Sequence, residues 1–139
     1  MVDAQDFINH RFYLADTEGY GPGPPRECRL IAPASITGGR SDLILVSIDP
    51  PIIYHNLPHS TVLLASRHAD NSLSDIRRWP VHVHVAVLKD RQVPQPDVTG
   101  RVSVARSEIA NAAWLELHPT RASAVESIDE WRRHIDDAE

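Results

Sequence analysis

A chain of 139 residues and 15.5 kDa is the size of one domain, long enough to bury a core without covalent staples. A net charge of −5, with the arginines scattered along the chain, excludes the clustered basic face of a nucleic-acid binder. The single cysteine, Cys28, excludes an intrachain disulfide, and no apolar run approaches the roughly 20 residues that span a bilayer, so a cytoplasmic, soluble protein with no membrane association is expected.

The chain reads as one domain, 1–139, with an N-terminal arm (1–18), a Gly/Pro connector (19–25) and a body (26–139). Acidic residues near the start leave no basic-then-apolar secretory signal. In the arm, Phe7, Ile8, Phe12 and Ala15 fit one helix face, whereas HRFYLAD fits a strand equally well. In the connector GYGPGPP, glycine supplies unusual backbone angles and proline withholds hydrogen bonds, giving a turn or an extended link.

The body opens with short β runs. ECRLIAP (27–33) alternates around Cys28, Leu30 and Ala32, SITGGRSD is a turn, and LILVSI (43–48) is a continuous apolar strand, the two strands forming a hairpin or near neighbours. Asp49-Pro50-Pro51 is expected to end that strand, because neither proline can donate to a ladder. After a loop with His55 and His59, TVLLASR (61–67) gives a third strand and HADNSLSD a polar turn. Val81–Leu88 gives a fourth strand, and RVSVA, after DRQVPQPDVTG, a fifth.

Two helices are expected late in the chain. In SEIANAAWLELHP, Ile109, Ala110, Ala113, Trp114 and Leu117 share a helical face, with Ser107 placed to cap and Pro119 to terminate. In the tail, Ser123 and Glu126 have capping-box spacing, and Val125, Ile128, Trp131 or Arg132, and Ile135 form an apolar stripe. The fold class is therefore α+β: a curved antiparallel sheet or small β-barrel of about five short strands with two helices late in the chain. Its core should hold Leu30, Leu43, Leu45, Val62, Leu64 and the odd-numbered valines from Val81 to Val87.

The most conspicuous stretch is VHVHVAVL. Strand geometry puts Val81, Val83, Val85 and Val87 on one face and His82, His84, Ala86 and Leu88 on the other, so the valines mark the core side. Two imidazoles on one face can share a metal ion, but the positions where a third ligand commonly follows hold Ala86, Val87, Leu88 and Lys89. No metal or other cofactor is expected. The alternative is a site of His82 and His84 completed by His59, His55, His68 or a distant carboxylate.

HSTV (59–62) and HPTR (118–121) resemble the paired HxT motifs of the 2H phosphoesterases, in which two histidines act as acid and base on a cyclic phosphate. The likeness covers those two tetrapeptides alone, and Ser60, Pro119 and Arg121 depart from the family pattern. The polar segment 65–80 offers a ligand-binding set in Arg67, His68, Asp70 and Trp79, suited to a small anion or carboxylate. No GxSxG elbow, Walker A loop or dinucleotide fingerprint occurs, which speaks against ATP and nicotinamide chemistry. The sequence thus points to a small binding or interaction protein, self-associating or docking on a protein partner. The alternative is a histidine-centred enzyme, metal-dependent through His82 and His84 or acid/base through His59 or His118; whether the chain is an enzyme stays open at this level.

Overall fold

The computed structural model describes residues 11–15, 25–66, 80–90 and 92–137. Their strands are β1 (Arg11–Ala15), β2 (Arg26–Ile36), β3 (Leu43–Tyr54), β4 (Leu57–Ser66), β5 (Val81–Leu88), β6 (Val102–Val104) and β7 (Ile109–His118), followed by helix α1 (Arg121–Asp137). Antiparallel pairing runs β1-β7-β5-β4-β3-β2, and β1 also pairs with β2, so six strands close into a barrel without edges. β6 lies parallel to the far end of β2, Ala34–Ile36. The described part of the arm is therefore a barrel strand, with Phe12 and Leu14 fully buried.

Two apolar clusters explain why the strands read as near-continuous hydrophobic runs. Inside the barrel lie Phe12, Leu14, Cys28, Ile44, Val46, Val62, Leu64, Val83, Val85, Val87, Leu115 and Leu117, with Leu30 and Val81 packed against them. A second cluster on the outer side joins Leu43 and Leu45 of β3, Leu63 and Ala65 of β4, and Ala86 and Leu88 of β5 to Val102 and Val104 of β6. Of the predicted core residues, Leu43, Leu45, Val62, Leu64, Val83, Val85 and Val87 are buried and Leu30 and Val81 are only partly buried at the edge of the interior cluster, while Leu43 and Leu45 belong to this outer layer. β3 and β4 are covered on both faces here, and each such Leu or Val contributes about 1.5–3 kcal/mol by burial.

Bulges account for the departures from simple alternation. On β2 the register steps from Leu30↔Val46 to Ala32↔Leu45, so Ile31 is the extra residue and Ala32 changes layer relative to Cys28 and Leu30. On β7 it steps from Val85↔Ala113 to Ala86↔Asn111, inserting one residue. That insertion corrects the first expected helix. It breaks the two-residue period of IANAAWLELH, and the resulting spacing imitates a helical face, while pairing with β5 and β1 overrides the alanine-rich local preference. Ser107 sits in a single 3-10 turn, Arg106–Glu108, and caps no α-helix.

Pro50 and Pro51 do not end β3. The strand runs on to Tyr54, and the prolines occupy an interruption of the β3–β4 ladder between Ser47↔Thr61 and Ile52↔His59. A two-residue turn, His55 (φ 50°) and Asn56 (φ 64°), then leads into β4, so His59 is a strand residue and not part of a loop. The β2–β3 hairpin turns through Gly38, whose φ of 73° suits glycine.

Helix α1 begins earlier than the Ser123/Glu126 spacing indicates. Thr120 Oγ1 accepts from the Ser123 N–H at 3.1 Å, which makes Thr120 the cap and Ser123 the third helical residue. Ala124 and Ile128 pack on Ala15 and Tyr13, seating the helix on the outer side of β1 and β7. Trp131, Arg132 and Ile135 lie outside the described side chains. Among the described residues no helix is long and apolar enough to cross a membrane.

Candidate functional site

Leu115 and Leu117 point into the barrel, so alternation turns Trp114, Glu116 and His118 of β7 outward. On neighbouring β5 the same rule turns His82 and His84 outward, and the register sets His82 opposite Glu116 and His84 opposite Trp114. Five polar or aromatic side chains therefore share one outer face of two strands. Helix α1 covers one end of it, and at the other, open end Trp114 keeps an exposed ring.

At the covered end His118 is only 2% exposed, yet both ring nitrogens are engaged. Nε2 lies 2.5 Å from Glu116 Oε1, and Nδ1 lies 2.7 Å from Ser123 Oγ. The Ser127 hydroxyl donates to the same Glu116 oxygen at 2.7 Å, one helical turn beyond Ser123. His82 Nε2 approaches the other carboxylate oxygen at 3.7 Å. Glu116 is held below the usual carboxylate range, mainly by the His118 bond, with burial opposing and the Ser127 hydroxyl and the two histidines assisting. The cluster is a connected polar network whose bonds offset the cost of burying an imidazole and a carboxylate.

At the open end the His84 ring stacks on Trp114, centroids 4.6 Å apart and planes 29° from parallel, and Trp114 remains 42% exposed. Arg40 lies near enough for its charge to act on His84, and it binds Asp42 through two nitrogens and donates to the Ser66 carbonyl at 3.0 Å. Burial depresses the His84 pKa first, and the Arg40 charge depresses it further. The imidazole is thereby favoured in its neutral form.

The histidine ladder does not assemble the alternative metal set. His84 pairs across from Ala65, while His59 lies six residues earlier on β4, a separation of about 20 Å along the strand. His59 is buried beside Tyr54, with its partner Ile52 in the barrel interior. Among the described residues no group of three or more His, Cys, Asp or Glu side chains is arranged to hold a metal ion.

The HxT likeness separates in the same way. His59 faces the interior and His118 the exterior, so the two do not flank one space, and Thr120 serves as the helix cap. Arg67, His68, Asp70 and Trp79, the ligand set suggested by the polar loop, lie outside the described residues.

Sequence reasoning missed Glu116 and Ser123 as partners of His118, and Ser127 as the further partner of Glu116. The available signal was the Glu-x-His of LELH, hidden once that segment is read as a helix, because alternation on a strand puts both side chains on one face. No protein-family model, curated protein or solved structure matches this chain.

Proposed function

We propose that this protein is a self-associating interaction module without chemistry of its own, and that a second copy docks on the open end of the β5–β7 outer face. The observation that carries the reading is the His84–Trp114 stack with its exposed indole, since tryptophan and arginine are the residues that most often anchor interfaces. Two chains of net charge −5 repel, and this face is locally compensated: Arg40 is paired with Asp42, His82 faces Glu116, and His84 is favoured neutral.

The half of the ladder formed by Ala86 and Leu88 is occupied by β6, which confines the proposed seam to His82, His84, Trp114 and Arg40. Sedimentation of the full chain over a range of concentrations tests the reading. A concentration-dependent dimer that Trp114→Glu converts to monomer supports it. A monomer at every concentration, or a dimer indifferent to that substitution, removes it.

A second reading, acid/base chemistry at His118, has one observation in its favour. With Nε2–H donated to Glu116, Nδ1 accepts from the Ser123 hydroxyl, which is how an oriented histidine activates a nucleophile. The same bonds also fasten α1 to the barrel, and His118 is covered, which ranks this reading second. Covalent labelling of Ser123 by a fluorophosphonate, lost in His118→Gln, would favour catalysis. A folded protein that stays unlabelled leaves the bonds with a fastening role.

A further inference from the structure

The interruption of the β3–β4 ladder makes a recess on the barrel wall away from the β5–β7 face. Between the pairs Ser47↔Thr61 and Ile52↔His59, Ile48 to Pro51 of β3 face Ser60 alone on β4. Pro50 and Pro51 have no N–H to offer β4, so the strands separate. The opening is about 370 Å³ and is lined by Glu27, Arg29, Ser47, Asp49, Ser60 and Thr61. That volume lies within the range of small-molecule sites.

Its polar groups fall into two walls. On one, Glu27 Oε1 stands 3.4 Å from Arg11 Nε and 3.6 Å from Arg29 Nε, so two guanidinium groups share one carboxylate and the wall keeps a positive excess. On the other, Asp49 is exposed, and cross-strand register puts it beside Glu27 and diagonal to Arg29. Diagonal side chains of this kind start about 7–8 Å apart, close enough for one small molecule to touch both. Among the described residues the side chains of Ser47, Asp49, Ser60 and Thr61 make no hydrogen bond to the protein, so three hydroxyls and a carboxylate line the opening ready for a ligand.

We propose that this recess binds a small zwitterion of the α-amino acid class, its carboxylate on Arg29, its ammonium on Asp49 and its remaining polar atoms on the hydroxyls. A sugar would want an aromatic platform, and none lines the opening. A phosphate-rich ligand would meet Asp49 and Glu27 as repulsion. The site is independent of the self-association reading, since none of its residues belongs to the β5–β7 face.

Isothermal titration of the full-length protein with L-alanine, L-serine, L-glutamine and L-alanyl-L-alanine tests the proposal, with acetate, ethylamine and glucose as comparisons. At least one zwitterion should bind saturably at millimolar concentration and about tenfold more tightly than acetate or ethylamine. Arg29→Gln and Asp49→Asn should each weaken it by about tenfold, while Trp114→Glu leaves it unchanged. Ser60→Trp fills the opening without removing either charge and should abolish binding, giving a test that does not depend on the charge variants folding normally. Absence of saturable binding by any zwitterion, equal binding of the singly charged probes, tighter binding of glucose, or indifference to Ser60→Trp would overturn the proposal.

Discussion

Glu116 and His118 stand two residues apart on β7, on the same outward face, and meet beneath helix α1 with Oε1 and Nε2 at 2.5 Å. The bond connects the barrel wall to the helix, because His118 passes on to Ser123 and Glu116 to Ser127, both on α1. Among the described side chains, Ala124 and Ile128 add apolar seating of the helix beside this polar network.

Acid should therefore loosen the helix. The Glu116 carboxyl is depressed in the folded state, so its stabilisation is complete above the unfolded carboxylate value and is lost as pH falls through the folded value. Asp42, depressed by its bond to Arg40, acts in the same direction. Glu116→Gln should lower stability by about 1–3 kcal/mol at neutral pH and should flatten the acid limb of a Tm-against-pH curve. A variant with the wild-type acid limb would show that the network contributes nothing.

At the helix start, Thr120→Ala should cost about 1 kcal/mol, the usual value of a lost cap. Ser123→Val should also destabilise, but through the His118 contact, leaving Nδ1 without its hydroxyl partner. Urea unfolding of the double variant separates the two effects, which should be close to additive if they are independent.

The two apolar layers make a paired prediction. Leu64→Ala opens the barrel interior and Leu45→Ala the layer beneath β6, and both residues are fully buried. Each should cost about 2–5 kcal/mol by denaturant titration. A Leu45→Ala cost near zero would mean that β6 does not cover β3.

Cys28 should be inert in the native protein. Burial raises its thiol far above the ordinary range, and only thiolate reacts readily. A chromogenic disulfide reagent should titrate one thiol per chain in denaturant and essentially none before unfolding.

Mild acid should weaken the proposed dimer. His84 is favoured neutral by burial and by Arg40, and lowering the pH through its depressed value adds a charge at the seam in each copy. Sedimentation at neutral and acidic pH should show the monomer fraction rising on acidification, with His84→Gln removing the dependence. A pH-independent dimer would place the seam elsewhere.

The local pattern of VHVHVAVL was sufficient for its strand, its limits and its inward valines, because period-two alternation needs only a buried face and an exposed one. The β2–β3 hairpin and the C-terminal helix were legible for the same kind of reason: the turn residues and the helical stripe are local. Barrel closure was not local. It depends on β1 pairing not only with β2, its neighbour in sequence, but also with β7, about a hundred residues further along the chain. Tertiary pairing likewise decided that the alanine-rich β7 is a strand, since a one-residue bulge erased the alternation that would have announced it. Leu43 and Leu45 show the same limit, for an apolar residue declares that it will be buried but not in which layer. The site followed the misread strand. While 107–119 is taken as a helix, Glu116 and His118 diverge, and only strand geometry beneath α1 brings Glu116, His118, Ser123 and Ser127 into one network.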